Sequence, residues 1–143
     1  MAGLQGGCLC GAVRYRLDEV PQGVAYCHCR MCQRASGAPV LVFGTVARAA
    51  LTIEHGNPRR HRSSDIGERW FCGECGCQLA MHVDYQADTI DIAVATLDAP
   101  EACPPEFHIW HTGRIGWFET ADGLPRYADA GPDGAPSPPK AES

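Results

Sequence analysis

Short stretches in which apolar and polar residues alternate run through most of the chain. Residues 12–17, 51–54, 78–83 and 89–95 each set apolar or β-branched side chains at every second position, the pattern of a strand with one buried face. Residues 24–26 and 68–71 are shorter strand candidates, and 40–43 (Val-Leu-Val-Phe) is a continuous apolar run suited to a core strand. Turn signals separate them: Pro21 with Gly23, the His-Gly-Asn-Pro run at 55–58, and a loop at 84–88. One place reads as helix, one or two turns over 29–36 closed by Gly37, a residue suited to the left-handed helix cap. An irregular stretch begins at 97, aromatic-rich runs follow at 108–111 and 115–118, and from 128 onward Gly, Pro, Ala and Ser dominate. The pattern predicts a mainly β domain of antiparallel strands with little helix over residues 1–127, and a disordered tail over 128–143.

Composition alters this picture in one respect, the nine cysteines. The 143 residues suit a single domain, and a hydrophobic share of 45% with 20% charged residues is ordinary. A net charge of −5 gives no support for general affinity to nucleic acid or a membrane surface. No apolar run reaches the length of a bilayer span, and residues 1–5 lack the basic and apolar regions of a secretory signal. A cytoplasmic setting is therefore expected, and in a reducing compartment cysteines at this density point to metal rather than disulfides. The odd count and the strain of bridging i,i+2 partners point the same way.

The thiols fall into three groups: Cys8/Cys10, Cys27/Cys29/Cys32 and Cys72/Cys75. Zinc takes thiolate sulfur at such short spacings, with four protein ligands in a structural site and three plus an open position in a catalytic one. Seven thiolates divide into four plus three, with the outer pairs closing one site and the middle group forming another. Spacing alone leaves a second pairing open, Cys29/Cys32 with Cys72/Cys75 as a zinc ribbon. Cys77 and Cys103 lie outside the groups, as inert core thiols or as substitute ligands.

Gly7-Cys8-x-Cys10-Gly11-x-Val13-Arg14-Tyr15, followed by Cys27-His28-Cys29-x-x-Cys32 with Gly37-Ala38-Pro39, resembles the glutathione-dependent formaldehyde-activating enzyme family, which includes centromere protein V. Arg69-x-Phe71-Cys72-x-x-Cys75-Gly76, Leu97-Asp98, His108-Ile109-Trp110, Trp117 and Leu124-Pro125-x-Tyr127 extend the likeness through residue 127. The resemblance implies a β-tent of small antiparallel sheets pinned by zinc. It implies two Zn²⁺ per chain, one structural on Cys8, Cys10, Cys72 and Cys75, the other catalytic on Cys27, Cys29 and Cys32. It also implies a carbon–sulfur lyase or synthase joining glutathione, as co-substrate, to formaldehyde, or acting on a related small thiol and aldehyde.

A metal deprotonates a thiol that coordinates it and polarises a carbonyl, so a site of three thiolates with an open position suits such chemistry. Glutathione is anionic, and Arg30, Arg34, Arg59, Arg60, Arg62 and Arg69 are the candidate docking cations. The run 59–62 reads equally as a solvated strand face. His28 is a candidate proton shuttle or an anchoring group, and His108 a structural partner beside Trp110. The rival reading is a non-catalytic, zinc-stabilised protein-binding module with both metal sites closed and a Trp110/Trp117 contact patch.

Overall fold

The structure is a computed structural model that describes residues 4–131; residues 132–143 of the expected tail lie outside the described residues. The protein is mainly β. Ten strands and one α-helix occur among the described residues: β1 Leu4–Gly7, β2 Arg14–Leu17, β3 Gln22–Cys27, α1 Arg30–Ser36, β4 Leu41–Ala47, β5 Leu51–His55, β6 Arg59–Arg62, β7 Gly67–Phe71, β8 Gln78–Val83, β9 Thr89–Ala93 and β10 Phe107–Ile109. They form a small sheet in the order β1-β2-β5 and a large one in the order β10-β3-β4-β9-β8-β7-β6. Every pairing is antiparallel except that of β10 with β3, which is parallel.

Strand alternation gives the large sheet two faces with different work. Val24 of β3, Val46 of β4 and Ile90 and Ile92 of β9 face the main core, where they meet Val13, Tyr15 and Leu17 from the small-sheet side. Their neighbours Cys27, Phe43 and Ala93 point the other way and join Cys29 and Cys32 in a second buried cluster. The register places Phe43 opposite both Ala25 and Ala93, so this second face is continuous across three strands. A slip of one residue would exchange the two faces.

Two strands are absent from the hydrophobic pattern. In β1, two of four residues are glycine, and Gly6 is there because the Tyr15 ring occupies the space of a side chain. The Tyr15 hydroxyl pairs with Thr96 Oγ1 at 2.7 Å, and Arg14 bonds Asp98 through Nη1 and Nη2, tying the small sheet to the chain beyond β9. β10 is three residues long and takes its partners from far along the chain: His28 N–H donates to Ile109 O, and Trp110 N–H to Asp129 O. Residues 128–131, placed in the tail by composition, run beside it. The strand read over 89–95 ends at Ala93 and gives way to a 3-10 turn, Val94–Thr96. The basic run 59–62 is an exposed edge strand, with Arg60 stacked 4.1 Å from the Trp70 ring centroid and Arg62 paired with Asp84.

A methyl group at position 6 would sit 2.5 Å from the Tyr15 hydroxyl oxygen and 2.6 Å from the Thr96 carbonyl oxygen, which is backbone and cannot step aside. Gly6→Ala is therefore expected to cost about 1–3 kcal/mol of stability. Gly123→Ala, which meets nothing within 4 Å, should stay within about 0.5 kcal/mol. Urea unfolding midpoints of the two variants check this.

Candidate metal centres and the adjoining cleft

The structure gathers seven of the nine thiols into two clusters, Cys8/Cys10/Cys72/Cys75 and Cys27/Cys29/Cys32, each with its sulfurs within 4.8 Å of one another. The zinc-ribbon pairing is not formed. Cys77 and Cys103 belong to neither cluster: Cys77 is half-buried beside Gln78, and Cys103 is packed in the main core.

The four-thiol cluster sits where the β1–β2 turn meets the end of β7. The Cys8 sulfur accepts from Val13 N–H at 3.3 Å, and Cys72 sulfur accepts from the Glu74 and Cys75 N–H groups at 3.3 and 3.4 Å. Such N–H groups favour thiolate over thiol. Burial pushes the Cys8 thiol up, but Val13 N–H and the neighbouring thiols pull it down to about 6. Sulfurs bonded to one zinc at 2.3 Å stand about 3.8 Å apart in a tetrahedron. Cys8 to Cys10 is 3.7 Å and Cys10 to Cys72 is 3.8 Å, so the donor set fits a tetrahedral dication.

The three-thiol cluster is built by the end of β3 and the start of α1. Cys29 is the N-cap of α1, and its sulfur accepts from Cys32 N–H at 3.2 Å. Gly37 closes the helix in the left-handed conformation at φ 69°, its N–H bonded to Gln33 O. Cys27 sulfur lies 3.5 Å from Cys29 and 3.2 Å from Cys32. Those edges are a few tenths of an ångström tighter than a zinc tetrahedron, and all three thiols are buried. Hydrogen bonds from Cys27 and Cys32 pull Cys29 down to about 3, and those of Cys27 with Cys29 and Cys32 push Cys27 well up. One negative charge is thus stable in the trio and further ionisation needs a cation, so this set also fits a metal. Arg69, buried at 5% exposure, directs Nη2 to Cys32 sulfur at 3.6 Å and supplies part of that charge. Among the described residues no fourth His, Cys, Asp or Glu atom joins the trio.

Cys27 also lines a cleft of about 110 Å³ on the second face of the large sheet. Phe43, Met81, Phe107, Ile109 and Trp110 supply its apolar walls, and Thr45 and Asp91 its polar floor. Trp110 adopts the left-handed conformation, φ 52°, which is uncommon for a bulky residue. Its N–H bonded to Asp129 O and its C=O bonded to Gly113 N–H fix it there. Trp117 is 76% exposed and lies elsewhere, beside Arg34 and Pro39.

His28 does not face the cleft. Its ring stacks on His108, which stacks on Tyr26, on the side of β3 away from Cys27. His28 Nε2 and His108 Nδ1 are 2.8 Å apart, and His108 Nε2 is 3.1 Å from Asp122 Oδ1. Thr120, Leu124 N–H, His108 and Arg126 together hold the Asp122 carboxyl well below the usual carboxylate range, so it only accepts. Burial lowers His28 to about 4, leaving it neutral at pH 7. In its neutral form His108 donates from Nε2 to Asp122, accepts at Nδ1 and so receives the Nε2 proton of His28. Gln33 Nε2 adds a bond to His28 O at 2.7 Å. The chain anchors the backbone between Cys27 and Cys29. Asp122, Gln33 and Asp91 carry no spacing signal in the sequence, and only the fold brings them here. Nitrogen-detected NMR at pH 7 should find both His28 and His108 as Nε2–H tautomers, and Asp122→Ala should abolish that fixed assignment for His108.

The sequence signature of the glutathione-dependent formaldehyde-activating enzyme family matches residues 3–113. A Halomonas elongata protein provisionally named a glutathione-dependent formaldehyde-activating enzyme is 26% identical over 127 residues, 81% of this chain and 80% of that protein. An uncharacterized lyase of Schizosaccharomyces pombe is 29% identical over 75 residues, 52% of this chain and 54% of its own length. The crystal structure of a Rhodobacter sphaeroides protein shares the fold with a TM-score of 0.60 at 21% identity, covering 71% of this chain and 97% of that one. Matched over most of its described length, with both thiol clusters inside the match, the chain belongs to the glutathione-dependent formaldehyde-activating enzyme family.

Proposed function

We propose that the protein makes or breaks the carbon–sulfur bond of a small thiol adduct, joining glutathione to formaldehyde as S-hydroxymethylglutathione or treating a related thiol in the same way. In the synthetic direction the sulfur bonds the aldehyde carbon, the carbonyl pair moves to oxygen, and a proton equivalent to the one lost from the thiol ends there as hydroxyl. The observation that carries this reading is the contrast between the clusters. Four thiols surround one point at the junction of the sheets, whereas three surround another on the wall of a cleft.

We assign a structural zinc to Cys8, Cys10, Cys72 and Cys75, and a catalytic zinc to Cys27, Cys29 and Cys32, in a cytoplasmic protein. A zinc ion on the trio supplies the positive charge that favours thiolate over thiol and polarises a carbonyl oxygen. The residues of the chain do the rest. Phe43, Met81, Ile109 and Trp110 exclude water from the substrate's reacting end, which strengthens every charge interaction there. Arg69 offsets the trio's negative charge beside Cys32, and the Asp122–His108–His28 chain keeps the loop from relaxing. The closed-site alternative finds less support, since neither Cys77 nor Cys103 reaches the trio and Trp110 turns into the cleft.

The two sets of thiols should behave differently when changed. A structural zinc contributes folding free energy of order 10 kcal/mol in small zinc peptides. Cys72→Ser is expected to unfold or precipitate the protein. Cys29→Ser should retain the wild-type circular dichroism spectrum, bind one zinc fewer and lose turnover of ¹³C-formaldehyde with glutathione followed by NMR. Equal loss of fold in both variants would defeat the division of roles, and full turnover by Cys29→Ser would defeat the reaction.

A further inference from the structure

Asp91, on the floor of the cleft, has no role in the proposed reaction. Its carboxylate and Cys27 line the same cleft, and Met81 and Ala93, which pack against the trio's cluster, are its cross-strand partner and its next same-face neighbour along β9. Thr45 Oγ1 donates to Asp91 Oδ1 at 2.7 Å, and that is the one hydrogen bond seen for this carboxylate among the described residues. No cation pairs with it among the described residues, while every exposed arginine–acid pair on the surface is made elsewhere. Phe43, Met81, Val83, Phe107 and Trp110 stand among the walls, together with the polar-tipped Tyr85 and Gln86. A half-buried carboxylate in a partly apolar cleft, with a single hydroxyl partner, is costly to keep ionised, and burial pushes Asp91 up to about 6. An interstrand Thr–Asp hydrogen bond does not need that charge, because asparagine would accept it equally well.

We propose that Asp91 is the anchor for a primary ammonium group of the thiol substrate, so that the cleft selects thiols carrying a free amine and orients them with sulfur toward the trio. This rests on the proposed thiol-adduct reaction and adds to it a subsite with a stated ligand chemistry. The spacing suits the task. Asp91 stands two residues, about 7 Å, along β9 from Ala93 at the trio's cluster. The sulfur and the α-amino nitrogen of an extended glutathione are about 10 Å apart by bond lengths, whereas its two carboxylates are repelled by Asp91. The apolar walls strengthen an ion pair formed within them and leave the carboxylate unsatisfied when an acylated analogue enters.

The experiment compares glutathione with N-acetylglutathione on zinc-loaded wild-type protein and on Asp91→Asn, with ¹³C-formaldehyde as the second substrate. S-methylglutathione and its N-acetyl form serve as unreactive probes in calorimetric titration. Wild type is expected to prefer the free amine at least tenfold in KM and Kd, and Asp91→Asn to bring that preference below twofold. The variant's urea midpoint should be no lower than wild type, because Thr45 keeps its acceptor. A wild-type protein indifferent to acetylation, or an Asp91→Asn variant that discriminates as wild type does, overturns the anchor while leaving the reaction standing. An Asp91-dependent preference in titration without turnover upholds the anchor and overturns the reaction. Failure of both probes to bind wild type overturns the anchor as well.

Discussion

Sulfur atoms held less than 4 Å apart cannot all carry charge unless a cation lies among them, and the molecule is arranged around that restriction twice. At the first place, Cys8 and Cys10 from the β1–β2 turn meet Cys72 and Cys75 from the end of β7, so the small sheet and the edge of the large one converge on a single point. Cys8 and Cys72 are also members of the main core, which makes the polar junction continuous with the apolar packing. At the second place, the first charge settles on Cys29 and resists its neighbours' ionisation. Arg69 answers part of that, from β7 on the other flank of the large sheet.

Strand alternation keeps these demands from interfering. On β9, Ile90 and Ile92 serve the main core while Asp91 faces the cleft and Ala93 the cluster around the three thiols. On β3, Val24 faces one way and Cys27 the other. The same rule separates His28 from the trio that encloses it in sequence, and turns a residue that reads as a proton shuttle into an anchor stacked on His108. Where β3, β4 and β9 line the cleft they do so through odd-numbered positions, among which Thr45 and Asp91 are the hydrogen-bonding polar groups.

Much of this is legible before folding is considered. The three groups of cysteines, the short helix with its Gly37 cap, and β8 over Gln78–Val83 follow from spacing and alternation, because each is decided by residues close together in the chain. The four-plus-three division is not, since ribbon pairing satisfies the same spacings; it depends on β1, a strand whose glycines yield to the Tyr15 ring and leave no apolar pattern to read. β10 is hidden for a different reason. Three residues are too few for a period, and their partners are supplied by β3 and by residues 125–129. Asp91 and Asp122 are ordinary acids in the sequence, and only the pairing of distant strands and loops gives them neighbours worth noticing.

The parallel pairing of β10 with β3 also sets an order of events during synthesis. Cys27 has left the ribosome about eighty residues before Ile109, its register partner, exists to cover its flank. Contacts of such long separation form late and slowly. For that interval the three thiols lack their wall and are more open to oxidants than they are in the folded protein.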